Sequence, residues 1–265
     1  MDKISILGCG WLGLPLGKAL VKDGFSVNAS TTSPDKIPLL ENSGLHPFII
    51  ELKETAAIGN LNCFLHNATT LVIDIPPKLR GENAANFVLK IQNIVSFIEK
   101  STIENVLFIS STAVFADENN FVTETTVPNP ETGSGIQLLA TEKLLQQNTA
   151  FRTTVLRFSG LIGDDRHPIR SMAGRDNLEN PLGPVNLIHQ DDCIAIIQKI
   201  ITYNFWGETL NATSPQHPQR QAYYIQKAID FNLPVPQFIP GPASGKTIDA
   251  TPLIEKLGYT FLKEI

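Results

Sequence analysis

At 265 residues, the chain is long enough to bury a substantial core, as one large domain or as a nucleotide domain with a smaller appendage. A net charge of −5 without any block of like charges excludes nucleic acid and anionic membrane as its main partners. No apolar run approaches the ~20 residues needed to span a bilayer, and the N-terminus enters a strand at once, leaving no room for a signal peptide; a cytoplasmic protein is expected.

The first element is an apolar strand over 4–7, followed by Gly8-Cys9-Gly10-Trp11-Leu12-Gly13, a helical run over 12–21, a turn at Lys22-Asp23-Gly24 and a second strand over 26–29. A glycine pattern alone is weak evidence; between a strand and an amphipathic helix it marks a dinucleotide site. Gly8 allows the tight turn, Gly10 lets the backbone approach a pyrophosphate, and Gly13 lets the helix pack close to the sheet. The N–H groups and dipole of a helix starting near Trp11 then attract the phosphates, with Leu12 part of the same loop. An ordinary glycine-rich turn is the alternative. Cys9 within the loop is read as a small filler, although a helix N-terminus can lower a thiol pKa.

The second strand ends in Ser30-Thr31-Thr32, with no acid for a ribose 2′-hydroxyl. Hydroxyls, a helix start with Ser33 as N-cap and Pro34 at its first position, and nearby Lys36 suit a 2′-phosphate, so NADP is expected. Asp35 keeps NAD as the alternative.

Further strands are expected over 48–52, 71–75, 106–110 and 154–158, alternating with helices over 35–42, 83–99 and 137–147. The 83–99 segment carries apolar residues at 87, 91, 94, 95 and 98, one buried stripe. Continuous apolar strands alternating with helices specify an α/β protein with a Rossmann-like, doubly wound parallel sheet. Beyond Phe158, Pro- and Gly-rich segments separate short elements over 191–201, 208–212 and 219–229. Residues 1–158 are therefore read as the dinucleotide-binding core, and 159–265 as remaining core elements plus a small substrate-facing C-terminal cap. Cys9, Cys63 and Cys193 are scattered, so neither a disulfide framework nor a metal site is indicated.

These landmarks, together with Phe108-Ile109-Ser110-Ser111-Thr112-Ala113-Val114-Phe115, Leu156-Arg157-Phe158-Ser159-Gly160-Leu161-Ile162-Gly163, Val185-Asn186-Leu187-Ile188-His189-Gln190-Asp191-Asp192 and Leu257-Gly258-Tyr259, follow one another in a familiar order. The chain resembles the extended short-chain dehydrogenase/reductase superfamily, the NAD(P)-dependent sugar-nucleotide epimerase/dehydratase group, over nearly its whole length. The resemblance implies hydride transfer to or from a nicotinamide, on a sugar nucleotide or similar small hydroxyl compound. It also adds Ile75, Pro76, Pro77 and Ser110, at two strand ends, to the cofactor-binding set.

The resemblance breaks at the catalytic pair. The superfamily carries Tyr-x-x-x-Lys, the lysine lowering the tyrosine pKa for proton exchange. Aligning on Ala140-Thr141-Glu142-Lys143 puts Ser134 and Leu138 at those positions, and the four tyrosines, Tyr203, Tyr223, Tyr224 and Tyr259, all lie well beyond that helix. Ser111 matches the superfamily's substrate-hydroxyl-binding serine and, with Thr112, is the catalytic candidate; a satisfied strand-end serine is the alternative. Arg157, Arg166, His167 and Arg170 are expected to hold an anionic substrate, or else to decorate a solvated loop. Asp191 and Asp192 read as the cap and first turn of a helix, with His189 as a packing or hydrogen-bonding residue. Two functions follow: an oxidoreductase or epimerase/dehydratase-like enzyme without the usual acid/base pair, or a non-catalytic NADP(H)-binding regulatory or scaffold protein. A homodimer is compatible with either.

Overall fold

The structure, a computed structural model, describes residues 2–77, 86–118 and 120–265. The central sheet is built from β1 (Lys3–Leu7), β2 (Ser26–Thr31), β3 (His46–Leu52), β4 (Ala57–Gly59), β5 (Thr70–Ile73), β6 (Asn105–Ser111), β8 (Arg152–Phe158) and β11 (Thr209–Ala212), in the order β11-β8-β6-β5-β1-β2-β3-β4. Every neighbouring pair is parallel except β3 and β4. Two short parallel pairs flank it: β7 (Phe121–Val122) with β12 (Thr247–Ile248), and β9 (Gly160–Ile162) with β10 (Leu187–His189).

Strands β1, β2, β5, β6, β8 and β11 are buried on both faces, whereas β3 and β4 at one edge of the sheet are partly exposed. Helices α1 (Gly13–Lys22), α7 (Gln190–Thr202) and α9 (Thr251–Leu257) contribute to one apolar cluster, with Leu16, Leu20, Ile196, Ile197 and Leu253 against Ile4, Ile6 and Val72. Helices α3 (Leu61–Leu65), α4 (Phe87–Glu99) and α5 (Gly133–Gln146) contribute to the other, with Phe64, Ile91, Ile94 and Leu145. A third, smaller cluster gathers Ile162, Ile169, Met172, Tyr223 and Tyr224, supplied in part by α6 (Ile169–Met172) and α8 (Arg220–Asp230). The remaining helix, α2 (Ile37–Asn42), leads into β3.

The strands expected up to residue 158 all form, with no end shifted by more than two residues. Of the helix expected over 83–99, α4 begins at Phe87 with the Asn86 side chain accepting the Leu89 N–H, while 83–85 lie outside the described residues. Helix α5 starts at Gly133, earlier than expected, because Thr132 caps it by accepting the Gly135 N–H. The Ser33 side chain makes no capping bond, although Pro34 does open a 3-10 turn.

The strand order reverses direction between β1 and β5, so chain segments leaving their carboxyl ends diverge and open a crevice there. Among the described residues, no helix is long and apolar enough to cross a membrane.

Candidate functional site

The crevice floor is the glycine loop. Gly8 has φ +109°, and a methyl group there would lie 2.2 Å from the Asp74 carbonyl oxygen; one on Gly13 would lie 2.2 Å from the Gly8 carbonyl oxygen. Both positions therefore demand glycine, for a left-handed backbone in the first case and for close approach in both. A methyl group on Gly10 would meet nothing within 4 Å. Helix α1 begins at Gly13, two residues later than Trp11, although the Leu14 N–H already donates to the Gly10 carbonyl.

Ser30 lies beneath this loop rather than against a ribose: its hydroxyl accepts the Gly8 N–H at 2.9 Å, its carbonyl accepts the Cys9 N–H at 2.8 Å, and its side chain is buried. Thr31 is likewise committed, its hydroxyl accepting the Ser33 N–H at 3.1 Å. Thr32 and Lys36 are exposed beyond the end of β2, and Lys36 is near enough for its charge to act on Cys9. Past β5, Ile75 and Pro77 are half-buried and Pro76 is exposed, with the Ile75 side chain packed against Gly8.

Beside the loop sits a carboxylate that sequence reasoning missed as a site residue. Burial pushes the Asp74 carboxyl from 3.8 up to about 8, partly opposed by the Gly13 N–H. Burial and the neighbouring Asp74 raise the Cys9 thiol to about 12, so Cys9 is the inert filler expected, with no activated thiolate.

At the end of β6, Ser110 turns inward and donates to Glu142 Oε1 at 2.5 Å, so its hydroxyl is unavailable to a cofactor. Arg157, expected to hold substrate, is buried against the same carboxylate, with Nη2 2.6 Å from Glu142 Oε2 and the guanidinium over the Phe115 ring. Burying an arginine requires a partner anion, and α5 supplies it. Ser111 caps the 3-10 turn Thr112–Val114, accepting the Ala113 N–H at 3.2 Å; Thr112 is buried.

The other basic residues do not converge. His167 is buried, accepts the Ile169 N–H at Nδ1 and meets the Tyr223 hydroxyl at Nε2, 2.9 Å away. Burial, with Lys227 and Arg170 nearby, pulls its imidazole down to about 4, so it is neutral at pH 7 and cannot serve as an anion-holding cation. Arg170 stacks on Phe231, and Arg166 stacks on Trp11 of the glycine loop.

On α5, Ser134 is half-buried, Leu138 is part of the apolar core and Lys143 is exposed. Tyr223 and Tyr224 pack in the third cluster, Tyr203 is on the surface, and Tyr259 donates to Asp192 Oδ1 at 2.7 Å. The cap of α7 is His189, whose Nδ1 accepts the Asp191 N–H, rather than an aspartate. Buried Asp192 instead anchors the C-terminal segment, also accepting the Leu262 N–H at 2.6 Å.

No family model matches this chain. Protein YeeZ of Escherichia coli (strain K12) is 32% identical over 264 residues, which is 98% of this chain and 96% of YeeZ. The chain belongs to the YeeZ family. A functionally unknown conserved protein from Silicibacter pomeroyi DSS shares the fold over 99% of this chain and 94% of its own, with a TM-score of 0.80 at 21% identity. UDP-glucuronic acid 4-epimerase from Bacillus cereus, solved with NAD, matches 99% of this chain and 92% of its own, with a TM-score of 0.82 at 17% identity. The fold of this YeeZ-family chain is thus the one that these two structures share.

Three residues around the site escaped sequence reasoning: Asp74, Glu142 and Asp165. Asp74 left a trace, an acid inside the apolar run Leu71-Val72-Ile73-Asp74-Ile75. Glu142 left none, because a glutamate in a polar helix reads as solvent-facing. Asp165, which accepts the Trp11 Nε1–H at 2.8 Å, is 154 residues from its partner, and nothing local signals it.

Proposed function

We propose that this protein binds NADP, with NAD as the alternative cofactor, and acts as an oxidoreductase or epimerase/dehydratase-like enzyme on a sugar nucleotide or similar small hydroxyl compound. The observation that carries the reading is the glycine loop: Gly8 and Gly13 are fixed as glycine by contacts of 2.2 Å, while Gly10 faces open space at the point where the strand order reverses. That is where a diphosphate needs an uncovered backbone. Neighbours of the same fold support the substrate class, one with UDP-glucose and NAD and another a UDP-glucuronic acid 4-epimerase with NAD. The three free cysteines suit a reducing, cytoplasmic location.

When bound, the nicotinamide supplies hydride exchange. The chain's part is to hold the dinucleotide along residues 8–13 and, through Ser111 at the end of β6, to offer a hydroxyl to the substrate. With Leu138 in the core and the tyrosines engaged elsewhere, a non-catalytic sensor of NADP(H) is the second reading. Calorimetric titration with NADPH and NADH tests binding: the wild type binds, and a folded Gly10→Val variant does not. Equal affinity in that variant refutes the site. Nicotinamide absorbance with UDP-sugars then separates the two readings, turnover lost in Ser111→Ala marking the enzyme.

A further inference from the structure

We propose that Arg166 is an anion-binding residue of the glycine-loop site, closing on the diphosphate of the dinucleotide from the side opposite the loop's N–H groups. The inference rests on the dinucleotide reading above and assigns the loop over 163–166 as the second half of that site.

The starting point is Trp11, the residue after Gly10. Its indole Nε1–H donates to Asp165 Oδ1 at 2.8 Å, and Gln190 Nε2 donates to its carbonyl oxygen at 2.6 Å. A methyl group on Gly163 would come within 2.9 Å of the indole, so the 163–166 loop lies flush on the ring. The loop is itself held by reciprocal backbone bonds, Gly163 N–H to the Arg166 carbonyl at 2.8 Å and Arg166 N–H to the Gly163 carbonyl at 3.0 Å. The guanidinium of Arg166 then rests over the Trp11 ring, with Cζ 4.9 Å from the ring centroid.

Charge accounting points to a missing partner. Asp165 is spent on the indole, and the Asp164 carboxylate is 4.0 Å from His189. Among the described residues, no carboxylate lies within salt-bridge distance of the Arg166 guanidinium, which is exposed. A guanidinium stacked on an aromatic ring has lost part of its rotamer freedom already, and its planar fork matches two phosphate oxygens. Stacking on a residue of the glycine loop itself places that cation at the mouth of an anion site. Two ligands carry the diphosphate chemistry, the dinucleotide and a sugar nucleotide. Trp11 belongs to the loop that would hold the former, which decides for the cofactor.

The test uses the full chain in a Trp206→Phe background, leaving Trp11 as the sole tryptophan. NADPH, NADH and UDP-glucose are titrated by tryptophan fluorescence and by calorimetry into the parent, Arg166→Gln and Asp165→Ala. Arg166→Gln should weaken NADPH and NADH alike by ~10- to 100-fold, the usual range for a charge-assisted contact, and leave UDP-glucose unchanged. Asp165→Ala, which frees the indole, should weaken both dinucleotides by a smaller factor. Thermal melts matching the parent establish that the exposed-site variants are folded. Unchanged dinucleotide affinity in folded Arg166→Gln overturns the proposal, as does a loss confined to UDP-glucose or a loss confined to NADPH. A parent chain that binds neither dinucleotide instead removes the cofactor reading itself, and this inference with it.

Discussion

Replacing Asp74 by asparagine isolates the electrostatics beneath the glycine loop. Asp74 titrates near 3.8 when unfolded and at about 8 when folded, burial being the main cause and the Gly13 N–H opposing it. Between those values the folded chain holds a proton that the unfolded chain has released, so stability falls as pH rises from ~4 to ~8 and levels off above. The gap is about four pH units at 1.36 kcal/mol each, which sets an upper bound of ~6 kcal/mol for the cost at alkaline pH. The groups facing Asp74 include Cys9 and Cys193, both held as thiols through this range, so neither of these titrates in the window. Urea unfolding at pH 5, 7 and 9 measures the effect. The stability advantage of Asp74→Asn over the parent should be smallest at pH 5 and grow by several kcal/mol by pH 9. An advantage independent of pH refutes the assignment of a protonated Asp74.

Glu142→Ala strands the buried guanidinium of Arg157 and the hydroxyl of Ser110, so it should cost ~3–5 kcal/mol, whereas the double change Glu142→Leu with Arg157→Met should recover most of that; urea midpoints decide. Gly8→Ala should lose at least ~2 kcal/mol from its positive φ and 2.2 Å contact, while Gly10→Ala should stay within ~0.5 kcal/mol of the parent in the same melts. NADP should bind at least about tenfold more tightly than NAD, and Lys36→Gln should erase the difference; calorimetry giving equal dissociation constants in the parent counts against the 2′-phosphate reading.

The fold was legible wherever one local rule sufficed. The apolar strands over 4–7 and 106–110 announce themselves, because burial on both faces leaves each with a single small serine, Ser5 and Ser110, among large apolar residues. Gly8 and Gly13 were legible too, since glycine spacing reports backbone geometry directly. What failed to show was pairing over distance. Arg157 looks like an anion-binding residue until Glu142 of α5 is placed against it, and His167 looks basic until Tyr223, 56 residues on, buries it. The small elements β4, α3, α6 and α9 fall among residues too short in period to register.

The bond from Gln190 to the Trp11 carbonyl spans 179 residues, and it carries a consequence for synthesis on the ribosome. At ~5–20 residues per second, roughly ten to forty seconds separate the translation of the glycine loop from that of the side chain that ties it down. The nascent amino-terminal half therefore leaves the exit tunnel with its loop held from beneath by Ser30 but without the Gln190 tie, which arrives only when α7 docks against α1. The Trp11 end of the loop is thus among the last parts of this polypeptide to reach its final contacts, since both Asp165 and Gln190 must first be made.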